Sequence, residues 1–300
     1  MFISIVIPVF QSENTLDLLL ERLDTCIKQL NKPFEIILVD DGSIDNSWNK
    51  ILNHYHSSNH IKAIKFSRNF GQHNAITAGL ELSTGNWVVV MDCDLQDQPE
   101  EIIRLLNKAE ENFDVVLGQR LYRNDSIIKT STSFLFYRIL EKLSGLKFEK
   151  GIGNFGIYRR KVIHAVLSYK EKFRPFPIIV RVVGFKRCAI EVKHGKRKQG
   201  KSNYTGFGLL KGAMNTILYY SHKPIWIFIA GGLGMVSFVF FIFVSLFFML
   251  FKINTTDLIL SLILLMSFVS LNVAMIGIYV SRIFIESKNR PLYIIDEKLL

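Results

Sequence analysis

The sequence predicts an α/β domain with a mostly parallel sheet, followed by a two-helix transmembrane hairpin. Three observations carry that expectation. Through the first two thirds of the 300-residue chain, short runs of bulky β-formers alternate with helix-length stretches. That alternation marks a sheet connected by right-handed crossovers. The runs are apolar with little polar alternation, as in strands covered by helices on both faces. Near the other end, Ile225 to Phe251 carries no charge, and Leu258 to Ile285 carries only Arg282.

Taken in order, Ile3 to Phe10 reads as the first strand, and Ser12 or Asn14 caps a helix running to about Leu30. Phe34 to Asp40 is the second strand and Asp45 to about Tyr55 the next helix. Ile61 to Phe66 is a third strand, followed by a helix over Gly71 to Leu82. Asn86 to Asp92 is the next strand. Pro99 opens a helix as a first-turn proline, with Glu100 and Glu101 favourable to the helix dipole. Asp114 to Gly118 is a further strand. Ser131 to Leu146 and Tyr204 to Tyr220 place apolar residues at helical spacing. Either could face a core, or lie in a membrane interface with its apolar side in lipid.

Each apolar stretch near the end would be about 40 Å long as a helix, enough to cross a hydrocarbon core of about 30 Å with some tilt. The connector Lys252 to Asp257 is too short for a domain. Basic residues crowd the outer flanks: Lys211, His222 and Lys223 before, Arg282, Lys288 and Arg290 at the far end. The positive-inside rule then puts the large domain and both termini in the cytoplasm of a multi-pass protein of the plasma (inner) membrane. The expected division is a catalytic domain over 1–203, a juxtamembrane amphipathic helix over 204–223, spans over 224–251 and 258–285, an extracytoplasmic loop over 252–257 and a cytoplasmic tail over 286–300. The formal charge of +11 suits an anionic membrane face better than nucleic acid, since no nucleic-acid-reading motif accompanies it. Three cysteines, Cys26, Cys93 and Cys188, with no Cys-x-x-Cys, read as free thiols with no zinc site.

The chemistry gathers where strands end. The Asn86–Asp92 strand runs into Asp92-Cys93-Asp94-Leu95-Gln96. Two carboxylates two residues apart, then an amide, sit where open α/β sheets bind ligands. Hard oxygen donors there suit Mg²⁺ or Mn²⁺ on a substrate diphosphate, with Asp92, Asp94 and Gln96 as the metal residues. Cys93 lies between the aspartates, and strand alternation turns its side chain back toward the core. Asp40-Asp41-Gly42-Ser43 follows a strand on the same edge. It reads either as an Asx turn capping the next helix, or as a carboxylate that recognises a nucleobase or ribose.

Asp40 to Asp45, Arg68-Asn69-Phe70-Gly71 and Asp92 to Glu100 together resemble the family 2 inverting glycosyltransferases of GT-A (Rossmann-like) fold. Within them the chain is most similar to the polyprenyl-phosphate sugar transferases, the group of dolichyl-phosphate mannose synthase and the bactoprenol glucosyltransferases. The likeness extends to the terminal hairpin and to Arg290-Pro291-Leu292-Tyr293. It implies that Pro8, Val9, Glu13, Asp40, Asp41, Ser43, Asp92 and Cys93 belong to the nucleotide-sugar site. Arg120 matches an arginine near the phosphates, and Arg197, Gly200, Ser202 and Tyr204 match a loop over the donor. Two positions depart from the family pattern. Asn203 stands where a lysine is usual, with Lys201 offering a charge from another direction. Asn154 stands where many relatives carry an aspartate proposed as catalytic base. Arginine and amide thus join Asp94 in the catalytic set implied: Asp94, Arg120, Arg197 and Asn154.

An amide accepts no proton at neutral pH, but a phosphate monoester with a second pKa of about 6 is already mostly ionised. A lipid-phosphate acceptor therefore needs positioning and charge relief more than a base. The implied reaction is inverting transfer of a sugar from a nucleotide sugar, UDP-linked before GDP or dTDP, to a polyprenyl phosphate, for which undecaprenyl phosphate is the bacterial form. The product serves cell-envelope glycan synthesis or modification. Relatives with such hairpins often form homo-oligomers. Two alternatives stand beside this reading. One is a processive polysaccharide synthase, whose Gln-x-x-Arg-Trp motif is absent. The other is a non-catalytic membrane scaffold or flippase partner. His73 and His164 read as structural.

Overall fold

The computed structural model describes residues 1–120, 138, 140–146, 151–195, 206–221, 223–247 and 255–300. The five strand-like runs form strands: β1 Ile3–Val9, β2 Phe34–Asp40, β3 Ile61–Phe66, β4 Trp87–Val90 and β5 Val115–Arg120. Between them lie α1 Leu16–Lys28, α2 Ser47–Ser57, α3 Gln72–Leu82 and α4 Glu101–Glu110. α1 starts later than either expected cap: Thr15 precedes it, with its hydroxyl on the Ser12 carbonyl at 3.3 Å. α4 also starts late. Pro99 precedes Glu100, the residue before the helix.

Beyond β5 come β6 Ile152–Arg159, α5 Arg160–Ser168, α6 Phe176–Val182 and β7 Arg187–Val192, which the apolar patterning alone left unassigned. Then follow α7 Gly206–Tyr220, α8 Lys223–Phe247, α9 Thr255–Ser287 and β8 Ile295–Leu299. Among the described residues the sheet has eight strands in the order β7-β5-β6-β4-β1-β2-β3-β8. β6 is antiparallel to β4 and β5, and β8 is antiparallel to β3; the other pairings are parallel. The carboxyl ends of β1 to β5 and β7 therefore share one edge.

Pleat alternation sorts the core into two layers. Ile3, Ile5, Ile7 and Val9 of β1 face one layer with Leu16, Leu19 and Leu23 of α1 and Ile102 and Leu105 of α4. Val6, Val39 and Val90 face the other, with Ala75, Ile76 and Ala78 of α3 and Val162 and Ile163 of α5. Burial of both layers is what makes the strands read as unbroken apolar runs.

At the amino end of the sheet a buried acid replaces apolar packing. Glu35 accepts hydrogen bonds from the Ser4 hydroxyl at 2.6 Å and from the Thr84 amide and hydroxyl at 2.7 and 2.9 Å. Lys62 approaches its other oxygen at 2.7 Å. Burial favours the neutral acid, but the Lys62 contact and the donated hydrogen bonds outweigh it and hold the carboxyl below its usual range. A cavity of about 430 Å³ opens here beside Phe34, Glu35, His60 and Lys62, far along the strands from the Asp92 edge.

Within the expected tail over 286–300, residues 295–299 pair with the sheet as β8. β8 pairs Ala63 with Leu299 and Lys65 with Glu297. Tyr293 stacks on Phe66 at 4.7 Å, the Ser67 amide donates to the Ile294 carbonyl at 3.1 Å, and Lys65 reaches Glu297 at 3.1 Å. The sequence of β8 is mostly polar and its side chains are mostly exposed, so backbone pairing, with Leu299 and the preceding Tyr293 packed on the core, holds it.

The chain divides into two compact units. One is drawn from Met1–Phe134, Leu146–Asn203 and Pro291–Leu300, the other from Leu135–Gly145 and Tyr204–Arg290. In the second unit, Ala213, Thr216, Ile217 and Leu218 of α7 are buried. Leu262–Ser287 of α9 is long and apolar enough to cross a membrane, and the protein buries none of that apolar window. Gly212–Tyr220 and Ile225–Phe240 meet the same measure only taken together, with a bend of 82°. Polar side chains on these helices bond back to their own backbone: Ser237 to Leu233, Ser270 to Met266 and Asn272 to Phe268, each at 2.8–3.0 Å. Arg282 donates to the Asn215 carbonyl oxygen at 3.1 Å and lies 4.3 Å from the Tyr219 ring.

Glu35→Ala, which strands Lys62, Ser4 and Thr84, is expected to lower stability by about 2 kcal/mol, read as a drop in the Tm of the detergent-solubilised chain. Because the Glu35 carboxyl is held low, its contribution is complete above the ordinary carboxylate range and is lost as pH falls through the lowered value. Acid destabilisation is therefore blunted in Glu35→Gln. Removal of residues 291–300 leaves the β3 edge unpaired, with a lower Tm and self-association by light scattering as the expected outcomes.

Candidate active site

The carboxyl edge of the sheet brings the predicted residues together in two groups. β1 lies between β2 and β4, so the Asp40 and Asp92 ends stand about 10 Å apart, two strand spacings. Pro8 and Val9, at the end of β1, lie between them.

The first group is a zipped pair of loops. The Asp40 side chain is fully buried. One of its oxygens accepts hydrogen bonds from the Ser43 amide, at 3.3 Å, and from the Ser43 hydroxyl. The other, Oδ2, is buried with no hydrogen-bond partner among the described residues. Burial pushes this carboxyl up, against the Ser43 donors. Asp41 is spent on backbone: it accepts from the Phe70 amide at 2.7 Å and the Gly71 amide at 2.9 Å. Burial pushes it up to about 6. These bonds fix the Arg68–Gly71 loop, where the Arg68 guanidinium lies 4.1 Å over the Phe70 ring. Gly42 makes that approach fit. Its φ is +68°, and a Cβ there would stand 2.3 Å from the Arg68 carbonyl carbon. Across the gap, the Gln11 amide donates to the Ser43 hydroxyl at 3.0 Å, the Glu13 amide to Asp45 at 3.2 Å, and the Asn46 amide to Glu13 at 3.0 Å.

The second group is acidic. Asp92 takes a hydrogen bond from the Gln72 amide at 2.6 Å and another from the Asn154 side chain, which β6 brings alongside β4. Burial first, then Asp97 and Asp94, push the Asp92 carboxyl up to about 6, against Arg120 and Asn154. The Cys93 thiol turns away, 2.8 Å from the Ser12 hydroxyl and against the core. Burial pushes it up to about 11, so it stays a thiol. Asp94 accepts from the Gln96 amide at 3.1 Å, closing an Asx turn. Leu95, at its tip, has φ +61°, a left-handed conformation of the kind found at functional loops. The Gly195 amide donates to the Gln96 carbonyl at 2.8 Å. Asp97, buried, meets one amino group of Arg120 at 3.1 and 3.2 Å and His194 at 3.6 Å.

Sequence reasoning missed Gln72, Asp97 and His194 as partners. The first two stand inside or beside the motifs that drew notice; His194 gave no signal. His73 donates nothing to either group: it accepts from the Phe176 amide at 3.4 Å, and burial pushes it down to about 4, so it is neutral. Arg197, Gly200, Lys201, Ser202, Asn203 and Tyr204 lie outside the described residues.

Among the described residues, no three His, Cys, Asp or Glu side chains converge on a point that could hold a metal. The donor chemistry still fits a hard divalent cation. Mg²⁺ is commonly held by one or two carboxylates together with substrate phosphates and water. Asp92, Asp94 and Asp97 repel one another here, with Arg120 opposing.

A helix-covered, mostly parallel sheet with acidic loops at its carboxyl edge defines a GT-A domain. Comparisons agree. The model of glycosyl transferase family 2 matches residues 4–167. A Bacillus subtilis protein described as an uncharacterized glycosyltransferase, YkcC, is 36% identical over 301 residues, covering 98% of this chain and 93% of that one. The undecaprenyl-phosphate 4-deoxy-4-formamido-L-arabinose transferase of Klebsiella pneumoniae is 37% identical over 213 residues, covering 69% of this chain and 64% of that one. S. aureus TarS in complex with UDP-GlcNAc shares the fold with a TM-score of 0.50 at 19% identity, over 72% of this chain and 65% of that one. The chain belongs to glycosyl transferase family 2.

Gly42→Ala adds a methyl group where backbone already stands, at positive φ. The expected cost is on the order of 2 kcal/mol, seen as a lower Tm with the Arg68–Gly71 amides exchanging faster in hydrogen–deuterium exchange.

Proposed function

We propose that this chain transfers a sugar, with inversion, from a nucleotide sugar to a polyprenyl phosphate, with UDP as the donor nucleotide and undecaprenyl phosphate as the acceptor. The observation that carries the reading is the pairing of the acidic Asp92–Asp97 loop at the carboxyl edge of the sheet with likeness to a named undecaprenyl-phosphate sugar transferase over 69% of the chain.

The donor would lie across the end of β1. The unpartnered Oδ2 of Asp40 offers an acceptor for a nucleobase N–H, and Asp92, Asp94 and Gln96 meet the diphosphate end. Mg²⁺ or Mn²⁺, held by those residues with the phosphates, would relieve charge on the departing nucleoside diphosphate. Gln72 and Asn154 orient Asp92. Arg120 keeps donors for a phosphate oxygen, and Arg197, Lys201 and Ser202 are the resemblance-based additions. The acceptor phosphate arrives as its own nucleophile, so Asn154 is not required to take a proton.

We further propose a multi-pass protein with two spans and a cytoplasmic catalytic domain over 1–203. The pairing of β8 with β3 supports this. Strands on both sides of the apolar helices in the chain share one sheet, so the intervening segment crosses the bilayer an even number of times. With α9 as one crossing, α8 is the natural second. The basic flanks at Lys223, Lys288 and Arg290 favour the cytoplasmic side.

Purified chain, a panel of labelled nucleotide sugars and undecaprenyl phosphate test the reading. Label is expected in the organic phase only when divalent metal is present, and no lipid-phase label from any donor overturns it. Asp94→Ala is expected to keep the wild-type Tm while turnover falls by a factor of about 100 or more. Near-normal turnover in that variant sinks the metal assignment.

A further inference from the structure

A buried carboxylate beside two others is costly to keep. Asp97 is 1% exposed as a side chain and feels Asp94 as a like charge. Asp92 in turn feels both Asp94 and Asp97. For stability alone, an amide or an apolar residue would serve better at this place. The charge therefore calls for a use.

Its contacts point to one. Both Asp97 oxygens engage the same amino group of Arg120, at 3.2 and 3.1 Å. The other guanidinium nitrogens have no hydrogen-bond partner among the described residues, and the side chain is 29% exposed. That amino group also lies beside β6, where a Cβ at Gly153 would stand 3.6 Å away, an ordinary van der Waals contact. A guanidinium is a rigid fork, so holding one prong fixes the direction of the rest. Asp97 is itself held. His194 lies 3.6 Å from it, and the two residues form a backbone bridge that ties the end of β7 to the Asp94–Gln96 turn.

We infer that Asp97, backed by His194, is a positioning residue that aims the open side of Arg120 at a phosphate oxygen of the reacting complex. This rests on the proposed glycosyl transfer for the identity of that complex. Without Asp97, Arg120 keeps its charge but loses its direction.

A double-mutant cycle tests this, with Asp97→Asn, Arg120→Ala and the pair, each first checked for a wild-type Tm. It is read in kcat of the lipid glycosylation and, independently of turnover, in the Kd for uridine diphosphate with Mg²⁺ by calorimetry. Asp97→Asn is expected to lower kcat roughly tenfold or more, and to do nothing further once Arg120 is alanine. Arg120→Lys is expected not to restore activity, since an ammonium cannot both pair with Asp97 and present a fixed second donor. His194→Gln, which leaves the acidic loop intact, is expected to give a smaller loss of the same kind and serves if Asp97→Asn fails to fold. Additive losses in the cycle, or a silent Asp97→Asn, overturn the inference. A wild-type chain that binds uridine diphosphate but glycosylates no lipid overturns the acceptor reading alone, and the binding cycle then decides the role of Asp97. A wild-type chain that binds no nucleoside diphosphate overturns both.

Discussion

The concentration of negative charge at the end of β4 is the constraint on which the rest of the edge depends. Asp92, Asp94 and Asp97 fall within six residues, with Asp92 and Asp94 half-buried and Asp97 withdrawn from water. Such a group persists only if each oxygen has a donor or a cation. Gln72 comes from the first turn of α3, Asn154 from antiparallel β6, Arg120 from the end of β5 and His194 from beyond β7. Four separate elements thus converge on one loop. The order of the sheet, with β6 inserted between β4 and β5, is what lets an amide reach Asp92 from the side away from β1.

The Asp40 group solves a different problem. Asp41 uses both oxygens on backbone amides of the next loop, while Asp40 keeps one buried oxygen unused. Adjacent carboxylates of the same type are thereby separated into one that builds the loop and one with an oxygen left over among the described residues. Gly42, turned into the left-handed region, lets the backbone of the Arg68–Gly71 loop come close enough for Asp41 to reach its amides.

How much of this was legible follows from where the chain spends its apolar residues. β1 to β5 declared themselves because helices cover both faces, and the acidic motifs stood out because they interrupt those runs. β6 carries Gly153 and Gly156, which weaken any strand pattern, although Gly156 serves a close approach to the Val116 carbonyl, where a Cβ would stand 2.8 Å away. β8 is short and mostly polar, with only Leu299 packed against the core, and it is held chiefly by edge pairing, which hydropathy does not register. The partners of the acids were hidden for another reason. Side-chain contacts between residues 20 to 97 positions apart, such as the Gln72–Asp92 hydrogen bond or the approach of His194 to Asp97, depend on strand order, and strand order is not written in local pattern.

The place of β8 in the chain has a consequence for biosynthesis. The strand is made after both apolar helices, yet it closes the edge of the sheet that was made before them. During translation the β3 edge stays open until the helices between β3 and β8 have been made and the chain has returned to the sheet. The sheet is therefore finished last by the strand made last. A chain interrupted before β8 keeps an unpaired strand edge of the sort that invites aggregation.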